Sequence, residues 1–144
     1  MASIVTSYGS DLWTKILFDL AAVPTNYYVA LCESLPDEES DGTDLAGIEP
    51  ADGYARLQTP TNSTYWATNA DGLVTNASLL TFPNPTADWG RLEAYALCTA
   101  LTGGEVICAG EFSQPLYIRL GVPARISAGG LSFGLATQAD TISV

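Results

Sequence analysis

The sequence predicts a mostly β domain, an antiparallel β-sandwich of jelly-roll or immunoglobulin-like type preceded by a short N-terminal α-helix or arm. Three observations carry that reading. Beyond residue 25 the apolar residues fall into seven short runs, prolines and glycines separate the runs, and no long helical pattern alternates with them as a parallel βαβ fold requires. At 144 residues the chain has the size of one domain with a core of its own.

Taken in order, Ser10 is the N-cap candidate ahead of Asp11, and Leu12, Trp13, Ile16, Leu17 and Leu20 then make the apolar stripe of an amphipathic helix. Pro24 stops it by removing a donor and restricting its neighbour. Residues 1–24 therefore read as a helix or arm and residues 25–144 as the sandwich. Such a helix ordinarily packs on its own domain; the alternative is an arm whose Trp13 docks on a neighbouring subunit. Strands are expected at Tyr27 to Cys32, Tyr54 to Thr59, Leu79 to Phe82, Leu92 to Cys98, Glu105 to Gly110, Leu116 to Leu120 and Leu131 to Ala136. The clearest hairpin turns through Thr102-Gly103-Gly104, where glycines take the positive φ that tight turns need.

Within the sandwich, the segment 33–52 carries Glu33, Asp37, Glu38, Glu39, Asp41, Asp44, Glu49 and Asp52 and no basic residue. A loop of this length is expected to be either functional or mobile. Its acids could form a solvated face, a rim that selects a basic partner, or a calcium site using Asp37, Asp41 and Asp44. The run D-E-E-S-D-G-T-D lacks EF-hand spacing, so the solvated face is the preferred reading and no metal or cofactor is expected.

Charged residues make up only 15% of the chain, against roughly 25% in ordinary soluble domains. A surface so short of charge is expected to be covered by other protein. The net charge of −11 sets sixteen acids against Lys15, Arg56, Arg91, Arg119 and Arg125. That field repels nucleic acid and anionic membranes, and no run reaches the ~20 apolar residues that span a bilayer. The segment from Met1 to Gly9 has neither the basic start nor the apolar stretch of a signal peptide, so synthesis and assembly in a cytoplasm are expected.

The chain contains no histidine, which removes the commonest general base and transition-metal ligand. Cys32, Cys98 and Cys108 lie in apolar runs without C-x-x-C spacing and read as buried hydrophobes, with a Cys98–Cys108 bridge as the minor alternative. Paired carboxylates could run glycoside hydrolysis, but half of the acids sit in one loop where nothing raises the pKa of one member. Lys15 lies on a helix surface, and Gly103-Gly104 and Gly129-Gly130 lack the spacing of phosphate-binding loops. Asp88-Trp89-Gly90 reads as strand-end packing rather than a carbohydrate platform. No catalytic, cofactor-binding or metal-ligating residue is assigned, and the protein is read as not an enzyme.

The helix ahead of Y-Y-V-A-L-C-E-S, the G-Y-A-R at Gly53 to Arg56, the F-P-N-P-T-A-D-W-G at Phe82 to Gly90, the Gly103-Gly104 turn and the C-terminal S-A-G-G-L-S-F-G-L occur together in this order. In that pattern the chain resembles small virion proteins of tailed bacteriophages, of the head-decoration or tail-fibre-like kind. The resemblance implies a non-enzymatic, β-rich virion component, trimeric where it caps a capsid surface, whose partners are its own copies and the major capsid protein or another virion protein. A capsid decoration or cement protein that stabilises the head shell is the first expectation. A tail or baseplate appendage such as a receptor-binding tip is the second, and a small carboxylate-based glycosidase the third.

Overall fold

The structure, a computed structural model, describes residues 3–70 and 72–134. Its elements are β1 (Ser3–Val5), α1 (Ser7–Leu17), β2 (Asn26–Cys32), a 3-10 turn (Asp44–Gly47), β3 (Leu57–Pro60), β4 (Trp66–Thr68), β5 (Val74–Asn76), β6 (Leu80–Thr81), β7 (Gly90–Cys98), β8 (Val106–Ile118), β9 (Arg125–Ile126) and β10 (Ser132–Phe133). All pairings are antiparallel, and the mostly β expectation holds. The main sheet has the order β1-β8-β7-β2-β3, with β10-β5-β4 and β6-β9 forming smaller sheets beside it.

The main sheet is buried on both faces, and the period of two decides which residue goes where. On the first face lie Val29 and Leu31 of β2, Tyr95 and Leu97 of β7, and Ile107 and Cys108 of β8. Ala30 and Cys32, Ala94, Ala96 and Cys98, and Val106 and Ala109 line the second face. Ile107 and Cys108 share a face although they are sequence neighbours, because the register slips there: Leu97 faces Cys108 while Cys98 faces Val106. Such a bulge inserts one extra residue without turning the rest of the strand over.

Each face has a different cover. The first is packed by α1, through Leu12, Trp13 and Ile16, and by β10, whose Phe133 meets Tyr95 edge-on at 5.3 Å. The Tyr95 hydroxyl donates to the Ser132 carbonyl at 2.9 Å and accepts from the Ser132 amide at 3.1 Å, so one phenol pins β10 to β7. Asn76 works similarly. Its buried amide donates to the Ser78 and Ser127 carbonyls and accepts from the Leu131 N–H, joining two loops that have no ladder between them. The second face is covered by the acidic segment, whose Leu35, Leu45 and Ile48 lie on the alanines. Rather than a purely solvated loop, this segment is a lid with an apolar underside.

The N-terminal region departs from the expected cap. Thr6, not Ser10, caps α1: its hydroxyl oxygen accepts from the Gly9 N–H at 3.0 Å and donates to the Val106 carbonyl, while its own N–H reaches the Ile107 carbonyl at 3.1 Å. Thr6 wins because it is buried where β1 ends against β8, so the same oxygen satisfies the helix and the strand. Residues 3–17 therefore share sheet and core with the strands of the sandwich.

The strands at Tyr27 to Cys32 and Leu92 to Cys98 lie where expected. Glu105 to Gly110 and Leu116 to Leu120 instead fuse into β8, because Pro115 falls in the stretch where register shifts between Leu92 and Ala94 and no ladder donor is required of it. The expected strand from Leu131 is short, and residues 135 and 136 lie outside the described residues.

A Cβ on Gly9 would stand 2.0 Å from the Ile107 carbonyl oxygen, whereas one on Gly47 would meet nothing within 4 Å. Gly9→Ala should therefore destabilise the protein by about 3 kcal/mol, the upper end of overpacking costs, and Gly47→Ala should stay near neutral. Urea unfolding of the two variants would check the contrast.

Candidate functional site

Arg56 immediately precedes β3 and turns its side chain beneath the acidic segment, towards the β7–β8 turn. Its side chain is 3% exposed and that of Glu49 is 9%. Every guanidinium N–H has a protein acceptor. Nε and Nη2 grip the Glu49 carboxylate at 3.1 and 2.8 Å, Nη1 donates to the Ala100 and Gly103 carbonyls at 2.9 Å each, and Nη2 also donates to the Gly42 carbonyl at 2.9 Å. Tyr54 donates its hydroxyl to the same carboxylate and accepts the Leu31 N–H at 3.1 Å, beyond the point where β3 stops pairing with β2. Burial, and then the Glu49 charge, push the Tyr54 phenol far above its ordinary value. For Arg56, burial alone would lower the pKa, but the hydrogen bond and charge of Glu49 reverse this and the guanidinium stays charged.

A shallow hollow of about 420 Å³ opens beside this pair, lined by Thr43, Ala46, Pro50, Tyr54 and Leu101 among others. Its only charged lining groups are Glu49 and Arg56, which neutralise each other. With all five N–H groups committed, Arg56 has no donor left for a bound anion.

The residues singled out in the sequence take these places. Cys32 and Cys98 lie on the second sheet face and Cys108 on the first, so Cys98 and Cys108 are separated by the sheet, and all three thiols are free and buried. Burial, joined by Glu49 for Cys32 and by Cys98 for Cys108, pushes those two thiols well up. Cys98 is pushed up to about 12 by burial, with Arg56 drawing it partly back. Asp37 accepts from the Glu39 N–H and the Ser40 hydroxyl, Asp41 from the Thr43 and Asp44 N–H groups, and Asp44 from the Asp41 N–H. These carboxylates are spent on folding their own turns. Among the described residues no three Asp, Glu or Cys side chains converge as a metal cage requires. Lys15 pairs with Asp11 at 2.8 Å on the helix surface. Trp89 is buried, donates Nε1 to the Asp52 carbonyl at 3.0 Å and packs edge-on against Tyr54, leaving no ring face for a sugar. Trp13 is half-buried on the core, while Leu17, Phe18 and Leu20 at the end of its helix stand in solvent.

The sequence offered Arg56 and Tyr54 as part of G-Y-A-R and of the strand expected at Tyr54 to Thr59, which in the structure begins only at Leu57, and assigned neither to a site. The available signal was a lone arginine in an otherwise unbroken acidic stretch, next to an aromatic and before a strand. Residues 7–134 match a family model described as Podophage GP4 fiber I protein gp80, and the chain belongs to that family. No curated protein matches the chain.

Breaking one side of a buried ion pair leaves the other charge stranded, which costs about 3–5 kcal/mol. Arg56→Met should show that loss in urea unfolding, and the double variant Glu49→Met/Arg56→Met should lose clearly less than the sum of the single changes. The thiols set a second expectation. Each ionises more readily unfolded, near the ordinary value of 9.0, than folded. Their contribution is complete below about pH 9 and is lost as pH rises through the folded values, so unfolding free energy should fall on the alkaline side. Thiol-modifying reagents at neutral pH should label the native protein far more slowly than the urea-unfolded chain.

Proposed function

We propose that this member of the podophage fibre family is a non-catalytic structural subunit of a tail or baseplate appendage, held in the virion by contacts with neighbouring proteins. The observation that carries the reading is the extent of the family match, which runs from the first turn of α1 past the end of β10. The fibre description thus applies to the folded unit as a whole rather than to one motif within it.

The geometry supports a structural role. The groups with chemical potential face inward: three thiols are buried, and the one buried cation is saturated by protein acceptors. What faces outward is apolar. Leu17, Phe18, Leu20, Val23, Tyr117, Leu120 and Val122 are all exposed, an unusual set for a protein that works alone. Low charge and a short chain are equally compatible with a capsid decoration, and it is the fibre description that favours the appendage.

Copy number separates the two. Quantitative mass analysis of purified particles should find this chain in few copies, near six or twelve or a small multiple of these. Hundreds of copies per particle would overturn the appendage reading in favour of a capsid cement.

A further inference from the structure

Besides Tyr8, Val74, Leu79 and Leu101, the large apolar side chains that stand in solvent among the described residues form two groups, and the topology places these at opposite ends of the main sheet. The first is the ridge that follows α1: Leu17 is 79% exposed, Phe18 68% and Leu20 76%, with Val23 beside them. Its position is fixed from both sides. Thr6, ahead of the helix, is bonded to Val106 and Ile107 at the start of β8, and Pro24, after the ridge, accepts the Thr61 hydroxyl at 2.7 Å just past the end of β3. The helix therefore crosses the sheet at the end where β8 begins and β3 finishes. The second group, Tyr117, Leu120 and Val122, lies where β8 finishes and β7 begins. Between the two ends β7 and β8 run side by side, the nine residues Gly90–Cys98 spanning the whole of Val106–Ile118, about 26 Å of strand.

The ridge is also held in an unfavourable backbone conformation. Leu20 N–H bonds to the Lys15 carbonyl and Asp19 N–H to that of Ile16, the paired bonds of a Schellman ending, with Asp19 at φ 59° where glycine is usual. In that motif the residue after the left-handed position commonly packs back on the helix, but here Leu20 projects into solvent.

Charge divides along the same axis. At the ridge end, Glu38 and Glu39 are bonded to Ser7, Asp41 is bridged to Glu105, and Asp11 and Asp19 lie on or just after the helix, while the one lysine there is taken by Asp11. At the other end Arg91 pairs with Glu93, Asp88 accepts the Leu120 N–H, Asp52 accepts from Trp89 through its carbonyl, and Arg119 and Arg125 flank the Leu120–Val122 stretch in the chain. Arg119 and Arg125 are exposed. One end is strongly acidic and the other is balanced and carries exposed guanidinium groups.

We propose that copies of this chain associate head to tail, the Leu17–Val23 ridge of one seating against the Tyr117–Val122 end of the next, with Asp19, Glu38, Glu39 and Asp41 on the side of Arg119 and Arg125. Ridge against ridge would bring two acidic ends together, so like-patch pairing is opposed by charge. A contact between two different patches leaves one of each free on every pair, so it propagates along the sheet axis unless a cap or a closing rotation stops it. The inference rests on the placement of these residues and not on the appendage reading, which particle copy number tests separately.

The experiment is sedimentation of the whole chain over a range of concentrations, with Phe18→Asp and Leu120→Asp as variants. Both side chains are exposed, so thermal unfolding should be unchanged in each. The unmodified chain should form dimers and longer species that weaken with added salt, and each variant alone should associate at least about tenfold more weakly. An equal mixture of the two should recover a dimer and stop there, because the intact far end of Phe18→Asp meets the intact ridge of Leu120→Asp. A monomer at every concentration, a mixture that fails to recover, or a loss confined to one variant would overturn the proposal.

Discussion

The fold depends on a single guanidinium. The second face of the main sheet is paved largely with alanine and cysteine, flat enough for chain to lie close against it. The segment that covers it has few ladder hydrogen bonds and little internal regular structure to hold it there. Arg56 supplies the missing restraint by gathering the Gly42 carbonyl and Glu49 from the lid and the Ala100 and Gly103 carbonyls from the β7–β8 turn around one buried charge. The lid and the turn approach so closely that a Cβ on Gly42 would stand 1.8 Å from the Gly103 carbonyl oxygen, so the arrangement admits only glycine there. An isolated buried cation would be prohibitively unfavourable, and this one is tolerated because five of five donors are matched.

How much of this was legible depends on what kind of information each feature needs. The strands at Tyr27 to Cys32 and Leu92 to Cys98, the glycine turn and the amphipathic helix were readable because local periodicity and turn chemistry dictate them. The Thr6 cap was not, since its advantage over Ser10 comes from a carbonyl one hundred residues away. Nor was the acidic lid. Eight carboxylates in twenty residues dominate the sequence signal, yet Leu35, Leu45 and Ile48 decide where the segment lies, and three apolar residues at irregular spacing have no period to detect. Pro115 misled for the opposite reason: proline is a breaker only where its missing N–H is needed, and that depends on register.

The same burial that hid the chemistry from reaction leaves the surface to carry the function. Thiols pushed up by burial, a phenol committed to Glu49 and carboxylates bonded to their own turns are all groups withdrawn from solvent reactivity. The remaining outward features are apolar side chains and uneven charge, the kind of surface that other protein surfaces recognise. A family of fibre proteins is a setting where such a surface has a use.

Polarity of the molecule then becomes the property to explain. β7 and β8 run the length of the sheet together, and β1 pairs with only three of the thirteen residues of β8, so the sheet is long at its centre and ragged at its edges. Lateral association would have to use those ragged edges, one of them interrupted by Pro115 and the other ending at Pro60, and proline at a sheet edge discourages a further strand from pairing. The ends offer apolar area and opposite electrostatic character with no ladder to complete. Asp19 illustrates the balance at the ridge: glycine there would relieve a left-handed backbone by about 1 kcal/mol, but it would also remove the only charge between Ile16 and Pro24. The side chain that strains the helix end is the one that distinguishes a basic neighbour from an acidic one.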